Sequence, residues 1–346
     1  VTAATWDAVV AGGGPAGAAT ALVLARAGRR VLLADAGPRG AYGVGESLPA
    51  AAGQVLRDLG LHGACAGEGH LRATGARAAW GGDVVTQRHA VFDPYGHGWL
   101  LDRPRFDAFL RDAARDAGAA LADGVVRVDG PDVSVGGAPV RTRWLVDATG
   151  RAAALARRRG ARRVEDDALV AVVARYPAAD VDATTLVAAA RQGWWYTARV
   201  PDGSRVVAHL TDADLAAPSL RTATGFAAAV APAVAAHTGR AAPYAAPRVV
   251  SARGGRLVPA VGDGWVATGD AALSFDPLSS QGILTALVLG VAAGEAVVAA
   301  LDGVPGAMDA YVARLAAVRA AYERNRLAYY GLERRWPREP FWARRS

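Results

Sequence analysis

Two rhythms of apolar and polar positions divide this chain of 346 residues. Residues 8–11 form a continuous apolar run, the pattern of a strand buried on both faces of a parallel sheet. The run stops at a glycine cluster and passes directly into an Ala/Leu-rich helical pattern from Pro15; a second strand, 30–34, ends at Asp35. A glycine-rich loop over 40–49 then leads to a helix over 50–59 that Gly60 ends. Residues 71–101 alternate with glycine punctuation and predict a few antiparallel strands. Asp102, with Pro104 close behind, caps a helix whose Phe106, Phe109, Leu110 and Ala113 share one face. Short strands are predicted over 124–140 and a buried one over 143–147. From 168 to 211 the rhythm changes to period two: four runs, 168–176, 184–190, 194–200 and 205–210, with turns but no helix between them. That is a mainly antiparallel sheet inserted into an α/β unit. A helical stretch over 225–237, strands at 248–251 and 264–268, a long helix from Gly282 and a helical tail over 307–335 complete the chain.

Composition narrows the classes. Hydrophobic residues reach 52%, inflated by alanine, and the apolar stretch 284–301 is broken by Gly290, Gly294 and Glu295, so it reads as a buried helix rather than a membrane span. The first strand starts almost at once, so no targeting peptide is expected and a cytoplasmic setting is the default. Cys65 is the single cysteine, which excludes an internal disulfide, and His62, His70, His89, His97, His209 and His237 lack ligand spacing, so no metal is expected. The formal charge is +7, and all 39 basic residues are arginine; the chain contains no lysine. The densest clusters, 157–159 with 162–163 and the tail at 334–335 and 344–345, read as solvated surface or as a docking face for an acidic partner. Nucleic acid is not expected, because the charge is not concentrated among interleaved aromatics.

Two stretches carry chemistry. Gly12, Gly14 and Gly17 stand at G-x-G-x-x-G spacing between strand and helix. The first allows the tight turn, the second lets backbone approach a pyrophosphate, and the third lets helix and strand pack closely. The N-terminus at Pro15 and Ala16 offers unpaired N–H groups to phosphate, and Asp35 stands at the offset of a carboxylate for an adenosine ribose. Farther on, a strand delivers Gly269-Asp270, and the loop through Asp276-Pro277-Leu278-Ser279-Ser280 reaches a helix start at Gln281-Gly282. This places a carboxylate for a polyol and a second helix dipole for an electron-rich ring.

With Asp147-Ala148-Thr149-Gly150, these stretches resemble the three FAD motifs of the p-hydroxybenzoate hydroxylase-like flavoproteins, in the branch of tryptophan halogenases and geranylgeranyl reductases. The resemblance implies an α/β fold: a Rossmann-type, glutathione-reductase-like FAD-binding domain (1–75, 101–165 and 248–302), an inserted antiparallel β-sheet substrate domain (76–100 and 166–247) and C-terminal helices (303–346). It implies FAD contacts at Gly12, Gly14, Pro15, Ala16, Gly17, Asp35, Ala36, Val126, Ala148, Gly150, Asp270, Pro277, Ser280, Gly282 and Ile283. Glu46 and Ser47, in a loop Gly45-Glu46-Ser47-Leu48-Pro49 similar to that branch's own, join them, as does Arg103, similar to its phosphate-reaching arginine.

The stretch Gly193-Trp194-Trp195-Tyr196 through Pro201 resembles the WxWxIP block of flavin-dependent halogenases, with the tryptophans adjacent rather than alternating. Those enzymes depend on an active-site lysine that this chain lacks, and arginine, always protonated, cannot replace it. The resemblance therefore implies an FAD-dependent monooxygenase that hydroxylates an electron-rich aromatic substrate with O2 through a flavin C4a-hydroperoxide. The substrate is a small molecule or a side chain on a peptide, carrier or partner protein, and electrons come from NAD(P)H or a partner flavin reductase. A halogenase, a geranylgeranyl-reductase-like FAD reductase and a non-catalytic FAD-binding maturation partner stand as alternatives. The catalytic candidates are Glu46, which either meets the flavin, poises a proton or caps the next helix; Trp194, which with Trp195 and Tyr196 either lines an aromatic pocket or packs in the core; and His209, a general base or a core histidine. The aromatic and arginine-rich tail over 329–345 is a lid or docking surface, or it packs over the core.

Overall fold

The computed structural model describes residues 4–37, 46–82, 84–239 and 241–345, so residues 40–45 of the glycine-rich loop expected over 40–49 lie outside the described residues. Five parallel strands form the spine of the first sheet, in the order Trp265–Ala267, Ala138–Asp147, Ala4–Ala11, Val31–Asp35 and Ala120–Asp123. Val9 pairs with Leu145 on one side and Leu32 on the other, and Ala8, Val9 and Val10 are wholly buried, as an unbroken apolar run requires. The strand at Ala120–Asp123 is absent from the sequence pattern, because it is short and alternates across a half-exposed edge.

The fingerprint helix, Pro15–Arg26, lies against the core helix, Gly282–Leu301. The two glycines that interrupt the apolar run make this contact possible. A Cβ at Gly290 would stand 2.4 Å from the Ala16 carbonyl oxygen, and one at Gly294 would stand 2.8 Å from the Val23 side chain. The Thr20 hydroxyl lies 2.8 Å from the Gly290 carbonyl across the same seam. The core helix is long and apolar enough to cross a membrane, but Leu287, Leu289, Ala293 and Val297 are fully buried in the protein core.

The second sheet follows the predicted strands closely: Leu169–Pro177, Thr184–Ala190, Gly193–Arg199 and Ser204–Asp212. Arg248–Ser251 adds to its outer edge beside Leu169–Pro177, so the sheet extends past the boundary expected at residue 247. Gly75–Ala79 adds to the other side as the parallel partner of Thr184–Ala190, followed by Thr86–His89. The single helix expected over 225–237 is two, Ala223–Ala229 and Pro232–Thr238. Pro232 forces Ala231 into an extended conformation (ψ 143°), which breaks the run.

Register assigns the faces of this sheet. Trp194 pairs with Leu210, and Trp195 with His209, so the adjacent tryptophans point to opposite sides. Trp194 packs with Leu169, Ala171 and Leu210 beneath the tail residues Tyr330, Phe341 and Trp342. Trp195 packs with Val172, Val207 and Phe226 beneath the two short helices. The tail helix ends at Gly331, short of the expected residue 335, and a last turn, Pro340–Ala343, closes over the sheet.

Candidate active site

Where the strands Ala4–Ala11, Val31–Asp35 and Ala138–Asp147 end, the chain opens a cavity of about 260 Å³. Gly12, Asp35, Ala36, Val126, Ala148 and Gly150 are among its walls. The glycines work as spacers. A Cβ on Gly12 (φ +106°) would stand 2.3 Å from the Ala148 carbonyl oxygen, and one on Gly17 would stand 1.9 Å from the Gly12 oxygen. A Cβ on Gly14 would meet nothing within 4 Å, which leaves the helix N-terminus open to a bulky anion. Gly17 is thus a packing residue that does not line the cavity. Asp35 sits at its strand end with the Arg111 guanidinium 3.2 Å away.

Asp147 holds the neighbouring turn. One carboxylate oxygen accepts from the Thr149 amide and hydroxyl at 3.0 and 2.7 Å, the other from the Leu155 and Ala156 amides at 2.9 and 2.8 Å. Its acceptor capacity goes into three backbone amides and the Thr149 hydroxyl, so Ala148 and Gly150 are presented in a fixed conformation.

A larger cavity of about 320 Å³ continues from this one and shares Gly14, Ala148 and Gly150 with it. Pro15, Ala16, Ser47 and Arg103 line its near end; Asp270, Pro277, Ser280, Gly282 and Ile283 line the far side. Arg103 also pairs with Asp107 one helical turn on, at 3.2 Å. The fingerprint turn and the segment 269–283 are therefore walls of one groove. Their contact is close: a Cβ on Gly269 would stand 2.6 Å from the Ala16 Cβ. Arg151 stands 3.6 Å from the Asp270 carboxylate, and Arg163 donates to the Asp270 carbonyl at 3.0 Å and to the Ser274 hydroxyl. Ser280 turns the chain in the left-handed region (φ +50°), which aims the N-terminus of the core helix into the cavity. The remaining wall is apolar and aromatic: Trp194, Tyr196 and Leu210 from the second sheet, with Phe275.

The three catalytic candidates separate. Trp194 lines the cavity, and so does Tyr196, two residues on, whereas Trp195 between them is a correction: it packs into the core on the opposite face of the sheet. Glu46 lies just behind the wall, 3% exposed, with Arg175 Nη2 3.3 Å from its carboxylate. Burial pushes its carboxyl from the ordinary 4.5 up to about 7, against the pull of Arg175 and Arg103. His209 is a correction. It lies on the opposite face of the sheet, its ring 4.5 Å from Trp195, and burial lowers its pKa to about 4, so it is a neutral core residue and no base for this cavity.

Sequence reasoning missed Arg151, which directly follows the Asp147–Gly150 turn, and left Asp276 and Phe275 without assigned roles although they stand in the stretches it singled out. The tail packs over the sheet. Arg345, 4% exposed, pairs with buried Asp212 at 2.5 Å, and Trp342 donates to the Ala190 carbonyl at 3.0 Å.

Comparison with known proteins agrees with this architecture. A family described as tryptophan halogenase matches residues 70–345. LodB of Marinomonas mediterranea, described as an FAD-dependent oxidoreductase, is 31% identical over 99% of this chain and 97% of its own. A 1H-pyrrole-2-carbonyl-(peptidyl-carrier protein) brominase of Pseudoalteromonas luteoviolacea is 28% identical over 86% of this chain and 79% of its own. The solved structure of the peptidyl tryptophan dihydroxylase QhpG superposes with a TM-score of 0.81 at 28% identity, covering 99% of this chain and 79% of QhpG. The chain therefore belongs to the tryptophan halogenase family and is an FAD-dependent oxidoreductase of halogenase-like architecture.

Proposed function

We propose that this protein is an FAD-dependent monooxygenase that hydroxylates an electron-rich aromatic ring. The residues present fit the cofactor: an open helix N-terminus at Gly14, a carboxylate at Asp35, and a second N-terminus at Gly282 at the other end of one groove. Asp35, Ala36 and Val126 would take the adenosine. Gly12, Gly14, Pro15, Ala16, Ala148, Gly150 and Arg103 would take the pyrophosphate region, and Ser47, Asp270, Pro277, Ser280, Gly282 and Ile283 the ring system. Reduced FAD supplies the electrons that activate O2.

The chain's own residues do the rest. Trp194, Tyr196, Leu210 and Phe275 offer an apolar wall that holds a flat ring and excludes water. The positive end of the core helix, at Gly282, stabilises negative charge that develops beside it. Glu46, behind the wall and balanced near neutrality, is a proton reservoir for the site.

One observation carries hydroxylation over halogenation: the chain has no lysine, and the cations among the described lining residues are Arg103 and Arg151. The likeness to a peptidyl tryptophan dihydroxylase supports the same reading, and it favours an indole borne on a polypeptide as the ring to be modified. Electrons would come from NAD(P)H or from a partner flavin reductase. The test supplies the FAD-loaded protein with reducing equivalents, a tryptophan-containing peptide or free aromatic, bromide and 18O2. Product carrying 18O and no bromine is expected; a brominated product overturns the reading.

A further inference from the structure

The larger cavity has walls from two halves of the molecule, and Tyr330 is one of the side chains that join them. Trp194 lies on the sheet wall and Asp276 on the cofactor-side loop, and both line the cavity. Between them stands Tyr330, from the last turn of the tail helix, 3% exposed. The Trp194 indole donates to the Tyr330 oxygen at 3.1 Å, and the Tyr330 hydroxyl donates to the Asp276 carboxylate at 2.7 Å. An indole N–H can only donate; burial raises the Asp276 pKa, but the Tyr330 and Leu278 hydrogen bonds and the nearby Arg326 and Arg345 guanidinium groups favour the carboxylate, which accepts. Burial and the Asp276 charge hold the Tyr330 phenol well above its ordinary pKa, so it keeps the proton it donates.

The other Asp276 oxygen accepts from the Leu278 amide at 2.9 Å and so shapes the turn Pro277–Ser279 that leads to Ser280 and the core helix. The Tyr330 ring is itself held, with guanidinium groups of Arg326 and Arg345 5.5 and 5.6 Å from its centre and the Trp80 ring at 5.9 Å.

We propose that Tyr330 is a positioning residue: its hydroxyl ties the indole wall to the cofactor-side loop, so that the end of the tail helix sets the spacing of the two cavity walls. This holds whichever atom is transferred to the substrate. Without that hydroxyl, a buried N–H and a buried carboxylate oxygen each lose a partner, and the loop that carries Pro277, Ser280 and Gly282 keeps its tie to the tail helix through the Asp276 amide and the Tyr322 hydroxyl, 3.0 Å apart, but loses its tie to the indole wall.

The test is Tyr330→Phe in the full chain, which keeps the ring and its packing. FAD affinity, read by flavin fluorescence on titration, is expected to weaken about five- to thirtyfold, with a shift in the midpoint potential of the bound flavin. Trp194→Phe removes one of the two bonds and is expected to weaken binding less. The double variant should match Tyr330→Phe within about twofold, because both changes break one chain. Flavin binding and potential unchanged in Tyr330→Phe, even with a lowered melting point, would overturn the proposal, as would losses that simply multiply. If Tyr330→Phe does not fold, hydrogen exchange on the wild-type protein decides. Added FAD should slow exchange at 276–283 and at 326–331 together, and no change in the tail helix would overturn it. Absent hydroxylation with these flavin effects intact would count against the proposed reaction alone.

Discussion

Glu46 is the carboxyl whose charge this fold leaves balanced near neutral pH. Its pKa rises from 4.5 to about 7 on folding, chiefly through burial. The folded protein therefore holds a proton that the unfolded chain releases, and the stability this contributes is present below pH 4.5 and lost as pH rises through about 7. Glu46→Gln should flatten this dependence: denaturant unfolding at pH 5 and pH 8 is expected to show wild type losing on the order of 2–3 kcal/mol relative to the variant. His209→Leu should leave product formation within about twofold and leave the melting point unchanged or raised, because it removes a buried ring nitrogen with no partner. Both residues were visible in the sequence as chemically capable. What the sequence did not display was parity: residues 209 and 210 differ by one step in a strand, and that step decides between the apolar core under Phe226 and the cavity.

The helices and strands that position the site were legible where the cause is local. The Asp102 cap accepts from the Arg105 amide at 3.1 Å, as its spacing from Pro104 suggested, and the fingerprint turn follows from its glycines. Elements that exist through partners were not legible. Gly255–Val258 is held by Arg162–Glu165 and Leu273–Ser274, and none of the three has a strong strand pattern alone. The seam between the fingerprint and core helices gives a sharp test. Gly290→Ala places a methyl group against the Ala16 carbonyl, where backbone must move. A loss of about 1–3 kcal/mol in unfolding free energy, together with weaker FAD retention, is expected by calorimetry and flavin absorbance.

Taken entire, the chain closes its second sheet with residues 330–345. Asp212 is almost fully buried and receives Arg345 at 2.5 Å and Arg344 at 2.8 Å. Burial alone would raise its pKa, but these bonds hold it below the ordinary carboxylate value, so the pair's contribution is complete above about pH 4 and is lost as pH falls further. Asp212→Ala should destabilise by about 3–5 kcal/mol, since it strands a buried guanidinium, and limited proteolysis should then cut beyond residue 331. The tail arginines are thus largely committed internally, whereas Arg157, Arg158 and Arg159 remain exposed. If the aromatic ring is presented on an acidic protein, turnover should fall severalfold between about 0.05 and 0.5 M salt, measured against turnover on a free peptide. The sequence could not show that positions 194, 276 and 330 meet, because three separate segments bring them together only after both halves have folded.

The back-to-back tryptophans have a consequence for how such a protein diversifies. Alternate letters of one strand answer to different demands: 196 to the guest in the groove, 195 to the oily layer beneath, and 194 to the groove and the tail helix at once. A lineage can therefore exchange 196, and with it the molecules it accepts, while 194 and 195 keep the scaffold standing.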